Sequence, residues 1–287
     1  MNARCCLGLA ICWLALVGVG CEQADDTGEL SSRLTRMTVP DSPELARSLG
    51  CSLLGHHVGS SLGSLLSLSG GLDRFFEPDF YGEVPIIILA RTAGWPEATE
   101  APFSLDLYEG SQNEELDFVV SPTSQNIGGR FESVSLEEDG WFSVDTDELR
   151  LPVPILDDLI IYPPLVSVNL EGKFIADDNG FDTERLLLKA YLASDGIMFV
   201  ARKIIEACSR PAAERPVICP VISNQITGDT PPEEAFPIIV SFMGGFDTRL
   251  SNGQPHTCDL GTAEQETDCN AVSVCMELNM NAEKVLN

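Results

Sequence analysis

From Val84 to Leu192 the apolar residues recur at every second position, and this period restricts the fold more than any other feature of the chain. Phe103, Leu105 and Leu107 alternate with Ser104, Asp106 and Tyr108, and Val166, Val168, Leu170 and Phe174 alternate with Ser167, Asn169, Glu171 and Lys173. Leu186, Leu188, Ala190 and Leu192 continue the pattern. Period two puts one apolar face on each strand, whereas a helix needs a period near 3.6. Val84–Leu89 is a solid apolar run, suited to a strand covered on both faces. Leu149, Leu151, Val153 and Ile155 alternate with Arg150, Pro152 and Pro154. Proline cannot donate to a ladder, so this strand is expected at a sheet edge.

Turn chemistry agrees. Asp139-Gly140 separates Phe131–Glu137 from Trp141–Asp145, and Asn179-Gly180 separates Val166–Ala176 from Arg185–Leu192. Such dipeptides supply the positive φ of two-residue hairpins. Seven or more closely spaced strands without intervening helices predict an antiparallel β-sandwich and disfavour a parallel βαβ fold. Residues 73–250 form this expected domain, including one helix near 197–208 whose stripe is Ile197, Ala201, Ile204 and Cys208. A last strand is expected around Ile238–Phe242, followed by a polar, Cys-bearing tail over 251–287. Residues 42–72 are Leu-, Ser- and Gly-rich. Ser42-Pro43-Glu44 opens a helix whose face carries Leu45, Leu49 and Leu53 as far as Gly55, and a second short helix is expected from Ser60 to about Leu68.

Residues 1–20 read as a secretory signal, with Arg4 as the only charge ahead of an apolar run from Leu7 to Val19. That run spans roughly 20 Å as a helix, short of the ~30 Å bilayer core. The stretch Val17-Gly18-Val19-Gly20-Cys21 resembles the lipobox of bacterial lipoproteins, departing from it where Gly18 replaces the usual aliphatic residue. The resemblance implies acylation of Cys21 (palmitate-type chains), a new N-terminus there, and attachment to the cell envelope. Glu22 in place of Asp points to the outer membrane. Residues 21–41 then read as the acylated Cys and a flexible acidic tether. In layout the chain is similar to uncharacterised β-sandwich surface lipoproteins, which implies an envelope role and no particular chemistry.

Cys5, Cys6 and Cys12 leave with the signal, so Cys51, Cys208, Cys219, Cys258, Cys269 and Cys275 remain as disulfide candidates. Six cysteines allow fifteen connectivities. Cys208 with Cys219 is the favoured local pair, because Pro211 and Pro216 bend the short loop between them. If all are oxidised, Cys51 must bridge to the C-terminal region. A zinc site is disfavoured, since no CxxC occurs and His256 is the only imidazole nearby.

A net charge of -27 excludes nucleic acid as a partner and keeps the domain off anionic lipid surfaces. Gly59-Ser60-Ser61-Leu62-Gly63 satisfies the nucleophile-elbow pattern, with Ser61 as nucleophile and His256 as base. The residues before it make a poor entering strand, and antiparallel β follows, so packing or linker use is favoured over catalysis. His56-His57 chelate poorly as neighbours. Asp177, Asp178 and Asp182 gather oxygens around a turn, but the spacing is not that of a calcium loop and a plain hairpin accounts for it. Trp95 and Trp141 lie in or beside loops and are candidates for stacking on a sugar ring. The sequence is therefore expected to encode a lipid-anchored, non-catalytic binding or structural protein without cofactor or metal. Its expected partners are envelope polysaccharide or another surface protein. The rival readings are a carbohydrate-binding module and a serine hydrolase using Ser61.

Overall fold

The computed structural model describes residues 30–53, 56–57, 72–95, 101–121, 129–155, 159–177, 180–259 and 268–286. The strands are β1 (Ser31–Thr38), β2 (Ser52–Leu53), β3 (His56–His57), β4 (Ile88–Ala93), β5 (Phe103–Gln112), β6 (Phe118–Val120), β7 (Gly129–Val134) and β8 (Trp141–Arg150). They continue with β9 (Val153–Ile155), β10 (Leu159–Ile161), β11 (Pro164–Asp177), β12 (Gly180–Ala193), β13 (Thr248–Ser251), β14 (Gln254–Thr257), β15 (Ala271–Ala282) and β16 (Val285–Leu286). The α-helices are α1 (Pro43–Leu49), α2 (Ser194–Cys208), α3 (Ile218–Ile222) and α4 (Pro232–Phe242). The fold is mainly β, antiparallel-rich and sandwich-like.

The large sheet runs β16-β6-β5-β4-β1-β15-β12-β11-β8, with β7 added to β5 and the β13–β14 hairpin added to β15. It curls over on itself. Four strands separate β5 from β11, which in a flat sheet would hold them about 24 Å apart. Yet the rings of Phe103 in β5 and Phe174 in β11 lie 6.1 Å apart. Phe142, Phe174, Phe181, Phe103 and Trp95 fill the resulting interior. The end strands β7 and β8 also come together: a Cβ on Gly129 would stand 2.2 Å from Leu149 Cδ1. One core cluster joins inner residues of both halves to the buried stripe of α2, so the helix packs against the same core.

The hairpin expected at Asn179-Gly180 joins β11 to β12, pairing Asp177 with Gly180. At Asp139-Gly140 the turn forms, with Gly140 at φ 87° and its N–H donating to Glu137 O at 2.9 Å. Its two strands, however, take other ladders: β7 pairs β5 and β8 pairs β11. The expected edge strand Leu149–Ile155 breaks at Pro152, so β8 ends at Arg150 and β9 joins a separate two-stranded sheet with β10.

Three expectations are corrected. The flexible tether over 21–41 extends too far: Ser31–Thr38 is β1, paired on both sides, with Leu34 and Met37 buried. Its polar residues hid it; Ser32 is fully buried because its hydroxyl donates to Asn281 O at 2.8 Å. The segment 251–287 is no tail, since β15 within it lies between β1 and β12. Val272, Val274, Met276, Leu278 and Met280 carry the period-two signal there and face the core. Ile238–Phe242 belongs to α4 rather than to a strand. A short apolar run is ambiguous in period, and Pro232 with Glu233 and Glu234 in the first turn favours the helix.

Helix α1 forms as Ser42-Pro43-Glu44 predicts, with Ser42 Oγ accepting the Leu45 N–H at 3.2 Å. It stops earlier than expected, at Gly50, whose φ of 75° is left-handed. The second helix expected over Ser60–Leu68 lies outside the described residues. The disulfides are Cys51–Cys275, Cys208–Cys219 and Cys258–Cys269. The first clips α1 to the outer face of β15, where Ala46, Cys51, Leu187 and Cys275 form a small cluster of their own. Closing a loop of 224 residues restricts the unfolded chain most. Replacing Cys51 and Cys275 together by Ser is expected to cost about 3–5 kcal/mol in urea unfolding, more than the same change at Cys258 and Cys269, which close 11 residues.

Candidate functional site

Pro152 and Pro154 keep β9 out of the main sheet, and β10 pairs with β9 alone among the described residues. Leu159 and Ile161 of β10 point into the core, whereas Ile160 between them is 39% exposed. Helix α2 runs opposite. Its apolar stripe Ile197, Ala201, Ile204 and Cys208 is buried, as the spacing predicts. At about 100° per residue, Phe199, Lys203 and Glu206 fall on the other side, and Arg210 follows two residues past the helix end. Between that face and residues 159–162 lies a cleft of about 470 Å³, with Arg150 also at its wall. A recess of about 390 Å³ adjoins it, sharing Ile160 and Tyr162 and lined also by Glu109 and Gln112.

The electrostatics are local. The Lys203 ammonium donates to Glu206 Oε2 at 2.8 Å, and this hydrogen bond, with the attraction of the charge, holds the Glu206 carboxyl below its usual range. Arg150 Nε donates to Glu148 Oε1 at 3.0 Å. Arg215 Nε donates to the Arg210 carbonyl at 2.7 Å and ties down the loop after α2. Residues 196–215 carry Arg202, Lys203, Arg210 and Arg215 against Glu206 and Glu214, a positive segment in a chain of net charge -27. Between cleft and recess, the Tyr162 phenol donates to Glu109 Oε1 at 2.9 Å. Glu109 Oε2 is shielded and accepts no hydrogen bond among the described residues.

The sequence-predicted candidates do not converge on this cleft. Trp95 packs against Phe103, Phe174 and Phe181 with ring centroids at 4.9, 5.7 and 6.1 Å, so its faces are taken by the core. Trp141 opens β8, half-buried, on the outer face that alternates with buried Phe142. On the same face Asn169 donates to Asp145 Oδ1 at 2.8 Å and Ser143 Oγ at 3.0 Å. A polar groove of about 420 Å³ there is lined by Asp145, Asp147, Asn169 and Tyr191. Asp182 is engaged as a strand clamp, its Oδ1 accepting the Ala282 N–H at 2.7 Å. Asp177 is exposed and Asp178 lies outside the described residues. His56 and His57 pair through their backbones with Leu53 and Ser52, and His256 is exposed in β14. Ser61 and its elbow, like Cys21, lie outside the described residues. Cys258, Cys269 and Asp268 lie close together, but the two sulfurs are bonded to each other and offer no thiolate.

Sequence reasoning missed an aromatic pair. Phe80 and Tyr81 are 96% and 77% exposed on a turn that Asp79 Oδ1 caps by accepting the N–H groups of Tyr81 and Glu83. The cleft itself was also missed, although the 199/203/206 spacing of the helix was readable. No protein family, curated protein or solved structure matches the chain.

Burial, then the bond to Glu109, pushes the Tyr162 phenol above its usual range. Burial first, with nearby carboxylates, does the same for Tyr108 and Tyr191. A raised folded-state pKa favours the neutral phenol, so this stability is present below pH ~10 and is lost as pH rises through the folded values. Urea midpoints should therefore fall above pH ~10. Tyr162→Phe should cost about 1–2 kcal/mol at neutral pH by leaving the Glu109 carboxylate unpaired, and should flatten that alkaline fall. Trp95→Ala should cost about 2–4 kcal/mol through the core, against under about 1 kcal/mol for Trp141→Ala.

Proposed function

We propose that this chain is an exported lipoprotein, anchored through Cys21 to the cell envelope, most simply the outer membrane. In this reading its curled β domain binds a partner without catalysis. Three disulfides support export, because such bonds persist in oxidising compartments. No helix among the described residues is long and apolar enough to cross a membrane. The observation that carries the binding role is the cleft between β10 and α2, where apolar walls and cations meet in an otherwise acidic chain. Clefts of this size that combine apolar walls with a few fixed polar groups are the usual form of a ligand site.

A carbohydrate-binding role is the second reading, and the polar groove beside Asp145 and Asn169 favours it. A glycan array separates the two, since a hit lost in Asn169→Ala but kept in Lys203→Glu selects the sugar. Labelling by a fluorophosphonate that disappears in Ser61→Ala would replace both readings with a hydrolase. For the anchor, Cys21→Ala is expected to abolish incorporation of labelled palmitate and to remove the protein from the membrane fraction. Two or three acyl chains at about 0.8 kcal/mol per buried CH₂ hold the wild type there. A variant that still takes up palmitate places the anchor elsewhere.

A further inference from the structure

We propose that the cleft between β10 and α2 takes an extended acidic peptide segment of a partner protein, which adds as a strand to the edge of β10 that pairs with no other strand among the described residues. The inference rests on the binding role and names its ligand. Ile160 pairs with Pro154, while Leu159 and Ile161 pair with Ile155 and Val153. In an antiparallel ladder, alternate pairs exchange both hydrogen bonds. Pro154 has no N–H to exchange, so the bonded pairs are those of Leu159 and Ile161. The N–H and C=O of Ile160 then point away from β9, toward whatever lies along the other edge.

What lies there is the cleft, whose strand wall is the continuous run Leu159–Tyr162. At about 3.3 Å per residue this run spans roughly 13 Å, enough to pair about four residues of peptide. An unpaired edge beside a helix is a geometry that main-chain bonding fills, with alternate side chains read by the walls. The walls specify charge. Arg150, Lys203 and Arg210 outnumber the one lining carboxylate, Glu206, although Lys203 pairs with Glu206 and Arg150 with Glu148, so an acidic segment must share or displace those partners. Same-face residues of an added strand recur every ~6.6 Å, so acidic side chains two to four positions apart meet these cations. Apolar neighbours contact Phe199 and the exposed Ile160. The remainder of so acidic a chain repels such a segment, which confines it to this groove.

The test is a random peptide library panned on the purified full-length chain in mild detergent. Enriched sequences are expected to carry Asp or Glu two to four positions apart among β-branched residues. A fluorescent peptide of the enriched sequence should lose at least about tenfold in affinity against Lys203→Glu/Arg210→Glu, whose circular dichroism stays that of the wild type, and should weaken as salt rises. N-methylation of alternate backbone amides should abolish binding in one register and spare it in the other. No enrichment, enrichment of basic sequences, affinity indifferent to both methylation registers, or displacement of the peptide by phosphatidylglycerol vesicles would each overturn the proposal. None of these outcomes alters palmitate incorporation at Cys21, so the groove and the anchor fail separately.

Discussion

The pairing of β15 with β1 on one side and β12 on the other is the interaction on which the rest of the structure depends. The arm from β4 through β5 to β6 and β7 joins the sheet through β1, and the arm of β12, β11 and β8 joins through β12. Remove β15 and the arms share no ladder among the described residues. The pairing brings residues near the two chain ends together, Ser32 with Ala282 and Thr38 with Glu277. Its loop-closure entropy is large and must be met by burial. The inner face of β15 supplies it through Val272, Val274, Met276, Leu278 and Met280. The outer face is reinforced covalently at Cys275.

Much of this was legible where burial and composition agree. The alternation in β5, β11 and β12 reads directly as one wet and one dry face, and α2 reads through its buried stripe. Legibility failed where a central strand is polar. Of the residues of β1, Leu34 and Met37 supply the apolar burial, and the strand is held by hydroxyls and backbone, as when Ser31 Oγ donates to Glu283 O at 2.7 Å. Nothing local distinguishes that segment from a linker, since its stability comes from two partners far away in sequence. β15 failed for a different reason, because its alternation is present but follows a Cys-bearing, polar stretch that set the expectation of a tail.

The site was less legible than the fold, and the cause is geometric. The residues singled out from sequence were chosen for their chemistry, but the core claims Trp95 and the sheet claims Asp182. The cleft is assembled from ordinary residues on three elements, Arg150 at the end of β8, residues 159–162 and one face of α2. Only the tertiary contact between β10 and α2 makes them a set. What sequence does show is the necessary asymmetry: the same helix that buries one stripe presents Lys203 on the other, with Arg210 just past its end, within a chain that has 17 Lys and Arg against 44 Asp and Glu.

The placement of β1 also bears on how an anchored domain would carry load. If Cys21 holds the lipid, tension enters the fold at Ser31, the first residue of a strand paired on both sides. Pulling along such a strand shears several hydrogen bonds at once instead of opening them one by one from an edge. The strand is also keyed in place, because Gly180 packs so closely on the Ser31 carbonyl that a Cβ there would lie 1.8 Å away. Arg33 adds a hydrogen bond to the Phe76 carbonyl at 2.9 Å and a cation–π contact with Phe118. Behind β1, the Cys51–Cys275 bond ties the segment that follows it to the partner strand. The strand at which a tether from Cys21 would enter thus belongs to the central pairing of the large sheet, while the cleft at β10 and α2 lies on elements outside it.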